Sequence, residues 1–418
     1  YFIAHREEAD IKKNELGFTP MPMAKTTVNK EDSSVTSVFF GLGKKKAIFR
    51  SGVGCTLLND VPESTVRAQK IFLSAEAPRY NDTVSDIFLN KKNTPDSLYT
   101  NVARAVEPAF GEKDSSRLIR TRAVIVIHNG QLIYEKYASG FDSSTPMMGW
   151  SMAKSFTGAL IGILSGDGKI NINDPAPIAA WKDPKDPRHA ITIKNLLQQT
   201  SGLKFIEDYT KPSEATNMLF RSDDMAGFTA SLDLETPPGS TFRYTSGNTN
   251  LLMQVIRNVL PESQYQQFPY TRLFHRIGMY HTVIEKDGSG NYVGSSYVYA
   301  TARDYARFGL LYYNNGKWNG EQILPEGWVQ QSVQRGPSTT AKQYGYQFYL
   351  NAGMPSDPKQ RTCPDVPADM YNADGFEGQD IFIIPSRKLV VVRLGLTQGR
   401  YFDDNEFLSR ILQALHDK

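Results

Sequence analysis

The chain has 418 residues, of which 40% are hydrophobic and 22% charged, and its formal net charge is +3. This length accommodates one large domain with an appendage or two domains, and the composition is that of a globular protein. The lysine clusters at 43–47 and 90–93 are too short to indicate a nucleic-acid interface and are typical of solvated loops. No apolar run reaches the about 18 residues that a membrane-spanning helix requires.

Cysteine and histidine usage excludes several kinds of site. Cys55 and Cys363 are the only cysteines, which excludes a disulfide scaffold and a cysteine-based zinc site, and the sequence leaves open whether the two pair. No spacing of histidine and glutamate suggests a metal site, and we expect no cofactor. Because the chain starts at Tyr1 rather than methionine, we expect that an N-terminal leader was removed. We therefore expect an exported protein, which is either periplasmic or anchored by the removed N-terminal segment.

The N-terminal quarter of the chain carries weak structural signals. Residues 1–35 are polar without a sustained period, which predicts a loosely held arm, and two apolar runs within 36–60 predict a pair of strands. We therefore divide the chain into an N-terminal extension, 1–110, and a main domain, 111–418, on which the extension packs.

Stronger patterns stand at the two ends of the main domain. Two β-branched runs around Asn129-Gly130 predict a hairpin with a type I′ turn, and a second hairpin is predicted around 385–388. A helix is predicted over 404–418, and the stretches between the hairpins are helical and loop-rich. The sequence thus predicts an α+β fold, in which an antiparallel sheet is built from both ends of the domain. Helices flank this sheet, and a helical insertion leaves a cleft between the two parts.

A serine lies three residues before a lysine at Ser151, Ser201 and Ser356. Ser356 is followed by Asp-Pro and Ser201 by glycine, and neither context continues a helix. Only Ser151 leads into a long helical pattern, "AKSFTGALIGIL", which places Lys154 about one turn away on the same face. A serine hydroxyl becomes a nucleophile when a neighbouring base takes its proton, and the start of a helix stabilises an oxyanion. Ser151 and Lys154 are therefore a candidate catalytic pair.

A second oxygen base is expected from elsewhere in the chain. "PPGSTFRYTSGNTNLL" contains a turn, a short extended run and then Tyr244-Thr245-Ser246 before a predicted helix. Lysine can act in two ways: burial can keep it neutral, or its charge can favour a neighbouring tyrosinate. Tyr244 is the tyrosine that would share the proton transfer with Lys154.

In this order, the motifs resemble those of the serine β-lactamase and penicillin-binding-protein superfamily, above all its class C-like branch of esterases and 6-aminohexanoate-dimer hydrolases. "SMAKS" is similar to the S-x-x-K element, "YTS" to the Y-x-N/S element and "DGFEGQDIFIIPSRKLVVVRLG" to the third, glycine-rich element. The segment "ITIKNLLQQTSGLKFIEDY" is also similar to one in this branch, and the similarity runs from about residue 115 to the C-terminus. The resemblance implies a β-lactamase/transpeptidase-like fold and a cofactor-free serine hydrolase (esterase or amidase) acting on small esters or amides.

The resemblance also implies roles for individual residues. Ser151 would be the acylated nucleophile, Lys154 and Tyr244 would share the acid and base work, and Ser246 would line the pocket.

The resemblance also implies roles for residues of the third element and of the segment that ends in "EDY". The backbone N–H of Gln379, on the edge strand after Gly378, would form the oxyanion hole together with that of the nucleophile. Tyr209 would contact the substrate amide. Phe376 stands where penicillin-recognising relatives carry lysine, and Glu377 stands where this branch usually has glycine. Both departures disfavour an anionic substrate.

Three alternatives stay open from the sequence. The chain could be a penicillin-recognising β-lactamase or D-alanyl carboxypeptidase, or a non-catalytic binding or regulatory protein with the same fold. "GWSMA" is also one residue away from the nucleophile elbow of α/β-hydrolases, for which His275 or His281 would supply the base, although the β-α alternation of that fold is missing. The oligomeric state is not predicted.

Overall fold

The computed structural model describes residues 1–17, 20–72, 95–112, 114, 116–336, 343–354, 356–399 and 401–416; the lysine cluster at 90–93 lies outside them. The α-helices are α1 Glu8–Asn14, α2 Glu63–Arg67, α3 Asp96–Val106, α4 Ala153–Gly166, α5 Ile193–Leu197, α6 Glu214–Arg221, α7 Met225–Ala230, α8 Ser246–Val259, α9 Glu262–Pro269, α10 Ala302–Tyr313, α11 Trp328–Ser332 and α12 Asp404–His416. The strands are β1 Ala24–Asn29, β2 Ser34–Phe39, β3 Leu42–Arg50, β4 Gly54–Leu58, β5 Ala123–His128, β6 Gln131–Tyr137, β7 Met147–Met148, β8 Val283–Ile284, β9 Val298–Ala300, β10 Lys317–Trp318, β11 Glu321–Gln322, β12 Tyr349–Leu350, β13 Tyr371–Gly375, β14 Gln379–Ile384 and β15 Leu389–Leu394.

The main sheet has six strands in the order β12-β13-β14-β15-β5-β6, and the neighbouring strands are antiparallel. β15 pairs with β5, so the two ends of the main domain meet in the interior of the sheet. Both predicted hairpins are confirmed. Asn129 and Gly130 have φ values of 53° and 73°, the left-handed conformations that a type I′ turn requires. The predicted α+β fold, with a sheet built from both ends of the domain, is therefore confirmed.

The two faces of the sheet bury separate cores, as the two-residue period of a strand requires. In β5, Ile125 and Ile127 belong to the larger core together with α4, α8 and α10. Val124 and Val126 belong to the smaller core, which α3 and α12 cover. The predicted C-terminal helix is thus confirmed, and its apolar side forms one layer of the smaller core.

The helical insertion between β6 and β9 contains α4 to α9, with α4 buried from Ala153 to Leu164. The predicted helix after Ser151 is confirmed, and it ends at Gly166 as expected. The α-helix itself begins at Ala153, and Ser151 lies in a short 3₁₀ turn before it. Ser201 and Ser356 lie outside helices, in agreement with their sequence context.

The expectation of a loosely held arm over residues 1–35 is wrong. This part of the chain contains α1 and β1, and β1 to β4 form a four-stranded antiparallel sheet rather than the predicted pair of strands. The polar sequence of β1, "AKTTVN", gives no alternation of apolar and polar residues, because its exposed residues alternate with residues that are only half-buried. Strand prediction from apolar periodicity therefore fails here. Cys55 and Cys363 are both free thiols. No helix within the described ranges has the length and apolar character needed to cross a bilayer.

Candidate active site

Ser151 lies on a strained turn at the junction of the sheet and the helical part. Trp150, immediately before it, has a φ of 46°, a left-handed conformation that costs a non-glycine residue about 1–2 kcal/mol. The turn is fixed on both sides, because the Gly149 N–H donates to the Val298 carbonyl at 2.8 Å and the Met152 N–H donates to the Gly149 carbonyl at 3.1 Å. A Cβ at Gly149 would lie 2.5 Å from the Tyr305 hydroxyl oxygen, so glycine is required there.

Lys154 is fully buried and its Nζ has three polar neighbours. Nζ lies 2.9 Å from Ser151 Oγ, 3.1 Å from Ser246 Oγ and 2.8 Å from the Ser295 carbonyl oxygen. Burial lowers the pKa of Lys154 to about 8, and the carboxylates of Glu207 and, to a smaller degree, Asp374 oppose this shift. The charged form fills the three contacts with three N–H groups, whereas the neutral amine fills them with two N–H groups and one lone pair.

The surrounding hydrogen bonds decide where that lone pair points. The Ser246 hydroxyl donates to Glu207 Oε1 at 2.5 Å, so its oxygen can only accept from Lys154. The Ser295 carbonyl can likewise only accept. With both N–H groups of the neutral amine used in this way, its lone pair faces Ser151 Oγ. Ser151 can then donate its proton to Lys154.

Glu207 is a site residue that the sequence analysis missed. Its carboxylate accepts from the Ser246 hydroxyl, from the Ser246 backbone N–H at 2.8 Å and from the Tyr209 hydroxyl at 2.5 Å. The available signal was its place two residues before Tyr209 in "EDY". Nothing in the local pattern shows that this segment meets the start of α8.

Tyr244 contacts both members of the candidate pair. The Ser151 side chain interacts with its hydroxyl and partly opposes the rise in the pKa of Tyr244, and Lys154 Nζ lies 4.9 Å from the centroid of its ring. The rings of Tyr344 and Tyr349 pack against it at centroid distances of 6.0 and 5.8 Å. Burial raises the pKa of Tyr244 well above its usual value, so the side chain is a neutral phenol. Of the two actions considered for the lysine, this geometry favours the neutral base over support of a tyrosinate.

The glycine-rich start of the third element, "DGFEGQ" at 374–379, forms the tip of the β13–β14 hairpin. The expected edge-strand position of Gln379 is wrong, because β14 lies between β13 and β15. The additional strands β13 and β12 come from segments that showed no strand pattern. The Gln379 side chain bonds to Gly395, donating to its carbonyl at 2.7 Å and accepting from its N–H at 3.1 Å. Gly378 has a φ of 81° at the turn, where glycine is favoured.

The part of this hairpin that touches the Ser151 turn is Gly375 and Phe376. A Cβ at Gly375 would lie 2.2 Å from the Gly149 carbonyl oxygen, and the Phe376 ring lies 5.7 Å from that of Trp150. Within the described part of the chain, the Phe376 N–H has no hydrogen-bond acceptor. This N–H is therefore a free backbone donor next to the turn that carries Ser151.

Aromatic side chains form the rim of the site. Phe376 and Tyr209 are 47% and 38% exposed, and their ring centroids lie 5.5 Å apart. Tyr209, expected to contact a substrate, is therefore at the rim. Glu377 is half-buried. Burial raises its pKa, and the guanidinium groups of Arg122 and Arg120 partly oppose the increase. These arginines reduce the attraction that Glu377 would exert on a substrate cation.

The alternative with a histidine base is not supported. His275 packs against the rings of Tyr270 and Tyr280, and the backbone of His281 binds Asp304. The antiparallel sheet also excludes the α/β-hydrolase fold, whose sheet is mainly parallel. Among the residues with described positions, no group of three or more His, Cys, Asp or Glu side chains could hold a metal ion.

A serine and a lysine one turn apart, between an antiparallel sheet and a helical insertion, are the arrangement of the serine β-lactamase and penicillin-binding-protein superfamily. The chain belongs to the β-lactamase family, whose model matches residues 105–416. It is 24% identical over 285 residues to the 6-aminohexanoate-dimer hydrolase of Paenarthrobacter ureafaciens, covering 66% of this chain and 72% of that protein.

Solved structures agree with this family. A Bacillus anthracis protein assigned as a 6-aminohexanoate-dimer hydrolase matches with a TM-score of 0.57 and 27% identity, over 71% of this chain and 78% of that one. The hydrolase EstCE1 matches with a TM-score of 0.60 and 17% identity, over 77% of this chain and 98% of that one. The second likeness shows the fold alone.

Proposed function

We propose that this protein is a serine hydrolase that cleaves small neutral esters and amides through an acyl-enzyme on Ser151. The observation that carries the proposal is the hydrogen-bond network of Lys154, because in the neutral amine both N–H groups would be used by Ser246 and Ser295 and the lone pair would face Ser151 Oγ. The relatives at 24% and 27% identity both carry the name 6-aminohexanoate-dimer hydrolase, in the second case as an assignment, and these names support an amide or ester bond as the target.

In the acylation step, Ser151 Oγ attacks the substrate carbonyl carbon while its proton passes to Lys154 Nζ. The negative charge develops on the carbonyl oxygen, which needs two N–H donors. One is the Ser151 backbone N–H at the start of the helix. We assign the other to Phe376 rather than to Gln379, because Phe376 borders the Ser151 turn and its N–H is free, whereas Gln379 lies inside the sheet.

The tetrahedral intermediate collapses when the leaving group receives a proton. Tyr244 lies beside Ser151 and Lys154 and is a neutral phenol, so it can donate this proton and regain one from Lys154. Water then attacks the acyl-enzyme with the same groups in reversed roles. An alkoxide leaves more readily than an amine, so esters are the favoured substrates.

The rim of the site favours a neutral, apolar substrate. Trp150, Phe376 and Tyr209 present ring faces and edges, and no lysine stands at position 376 to bind a carboxylate. We expect turnover of p-nitrophenyl butyrate, but neither turnover of a chromogenic cephalosporin nor stable capture of a fluorescent penicillin. Efficient penicillin capture without ester turnover would favour the penicillin-recognising alternative. Inactivity toward all three substrates would favour a binding protein.

The activity should rise with pH as Lys154 loses its proton. With a pKa of about 8, only about one lysine in ten is neutral at pH 7, whereas most are neutral at pH 9. We therefore expect kcat/KM to increase about tenfold per pH unit below pH 7 and to level off above about pH 8.5. A profile that already levels off at about pH 6, after an ascending limb in the range where carboxylates titrate, would contradict a lysine base. The measurement is a pH profile from pH 5.5 to pH 9.5, corrected for spontaneous hydrolysis.

A further inference from the structure

The four-stranded sheet β1–β4 lies outside the part of the chain that the family defines. The family match begins at residue 105, and the match to EstCE1 covers 98% of that protein but only 77% of this chain. The sheet is therefore an addition to a fold that is complete without it. Its hydrogen bonds to the main domain show which segment of that domain it contacts.

Residues of β4, at the end of the sheet, form hydrogen bonds with the segment that follows β8. The Cys55 N–H donates to Glu285 Oε1 at 2.6 Å, and the Thr56 hydroxyl donates to the Lys286 carbonyl at 2.8 Å. A little further along, the Gln69 amide donates to the Gly288 carbonyl at 2.7 Å. Three acceptors of this segment, on Glu285, Lys286 and Gly288, are thus bound by residues of the extension.

A neighbouring carboxylate strengthens the same junction. Asp223 accepts from the backbone N–H groups of Asn59, Asp60 and Val61 at 3.2, 2.6 and 2.9 Å. The carbonyl of Asp223 accepts from the Ser289 N–H at 2.7 Å. The extension therefore binds 285–289 both directly and through Asp223.

The held segment leads directly to the catalytic lysine. Glu285 is paired with the returning chain, because its N–H donates to the Tyr297 carbonyl at 2.9 Å and its carbonyl accepts from the Val293 N–H at 2.8 Å. Two residues after Val293, the Ser295 carbonyl accepts from Lys154 Nζ at 2.8 Å. This carbonyl takes one of the two N–H groups whose use directs the lone pair to Ser151.

Glu285 is buried, and among the described residues no cationic side chain lies within hydrogen-bond range of its carboxyl group. Burying a carboxyl group is unfavourable unless it is hydrogen-bonded, and here the hydrogen bond comes from the extension. A Cβ at Gly54 would lie 2.8 Å from Glu285 Cγ, so the backbone of β4 packs directly on this side chain. The contact is specific and leaves little room for rearrangement.

We propose that the N-terminal sheet is a positioning element of the active site, which holds Glu285 and Lys286 so that the Ser295 carbonyl keeps Lys154 oriented toward Ser151. This role rests on the proposed function of Ser151 and Lys154. Without the junction, the 285–297 segment can shift and water can reach Lys154. Because burial is the main cause of the low pKa of Lys154, while Glu207 and Asp374 oppose it, the pKa should then rise.

The test compares Glu285→Leu with Glu285→Gln. Leucine removes the acceptor for the Cys55 N–H, whereas glutamine keeps one. We measure labelling of Ser151 by a fluorophosphonate probe and ester turnover, both as functions of pH, together with the thermal midpoint. For Glu285→Leu we expect the labelling rate and kcat to fall about 10- to 100-fold at pH 7.5, as is typical when a catalytic group is displaced. We also expect KM to change little and the midpoint of the pH profile to move upward. Glu285→Gln should restore most of the rate.

Two further variants separate positioning from general destabilisation. Glu135→Leu is the matched control, because its carboxylate is also nearly buried, at 8% exposure, but binds Arg303 instead, at 2.7 and 3.0 Å. It should lower the thermal midpoint without moving the pH profile. Thr56→Val removes the hydroxyl that donates to the Lys286 carbonyl and accepts from Arg50, and it replaces Glu285→Leu in the test if that variant does not fold.

The outcomes distinguish the two proposals. If the wild-type chain is not labelled at Ser151, the proposed function itself is overturned. If the wild type is labelled, but Glu285→Leu or Thr56→Val keeps its rate and its pH midpoint, only the positioning role is overturned. The same applies if Glu135→Leu shifts the pH midpoint as much as Glu285→Leu does.

Discussion

Replacing Ser151 by alanine should lower kcat for p-nitrophenyl butyrate by about 10⁴-fold or more. The loss of a nucleophile in other serine hydrolases removes covalent catalysis and leaves only binding and oxyanion stabilisation. The variant should fold normally, because Ser151 is half-buried and its removal leaves a small space beside Lys154. The measurement is steady-state turnover by both proteins at pH 8.5, with thermal midpoints recorded on the same preparations.

The chain supplies its own control for this change. Ser356 also stands three residues before a lysine, but it lies in a turn outside any helix. Ser356→Ala should keep wild-type turnover. Equal loss in both variants, or full activity in Ser151→Ala, would contradict the assignment of the nucleophile.

Replacing Lys154 by methionine should have the second largest effect, a fall of about 10²- to 10⁴-fold in kcat/KM. Methionine is of similar length and apolar, so it fills the buried space but cannot accept the Ser151 proton. The free energy of unfolding should not decrease in proportion, because a buried amine with a lowered pKa is itself costly. A strong loss of activity with an unchanged thermal midpoint would identify a chemical role rather than a structural one.

The exposed lysine of another S-x-x-K sequence serves as the control. Lys204 follows Ser201 at the same spacing, and its side chain is exposed. Lys204→Met should leave kcat/KM unchanged. Retention of more than about a tenth of wild-type activity in Lys154→Met would contradict general base catalysis by this residue.

Local sequence patterns were sufficient to predict the elements that are stabilised locally. The type I′ turn at Asn129-Gly130 and the helix after Ser151 are determined by residues within a few positions of each other, and both are confirmed. The pair Ser151 and Lys154 follows from this helix, because residues three apart share a face. These parts of the site were therefore predictable without a structure.

Contacts between distant segments were not predictable in this way. Glu207 and Ser246 are 39 positions apart, and their hydrogen bonds depend on the packing of a loop against the start of α8. The strand β13 ends in "NADG", which has no apolar period, so Gln379 was assigned to an edge strand although it lies in the interior of the sheet. The same reason explains the missed strand β1, whose residues are at most half-buried.

The four-stranded sheet of the extension shows how a polar segment can form regular structure. Its strands are stabilised by pairing with one another and by hydrogen bonds to Asp223 and to the segment after β8. Backbone donors and buried carboxylates provide these contacts, and neither leaves a hydrophobic pattern in the sequence. A prediction based on apolar periodicity therefore underestimates the structure of residues 1–60.

The most direct test of the account is to locate the acyl group during turnover. The wild-type chain is mixed with p-nitrophenyl acetate, quenched with acid during the first turnovers, digested and analysed by peptide mass spectrometry. We expect an acetyl group on Ser151 in the wild type, and none on the corresponding peptide of Ser151→Ala. An acetyl group on a different residue, or product release with no acylated peptide at any time, would contradict catalysis through an acyl-enzyme on Ser151.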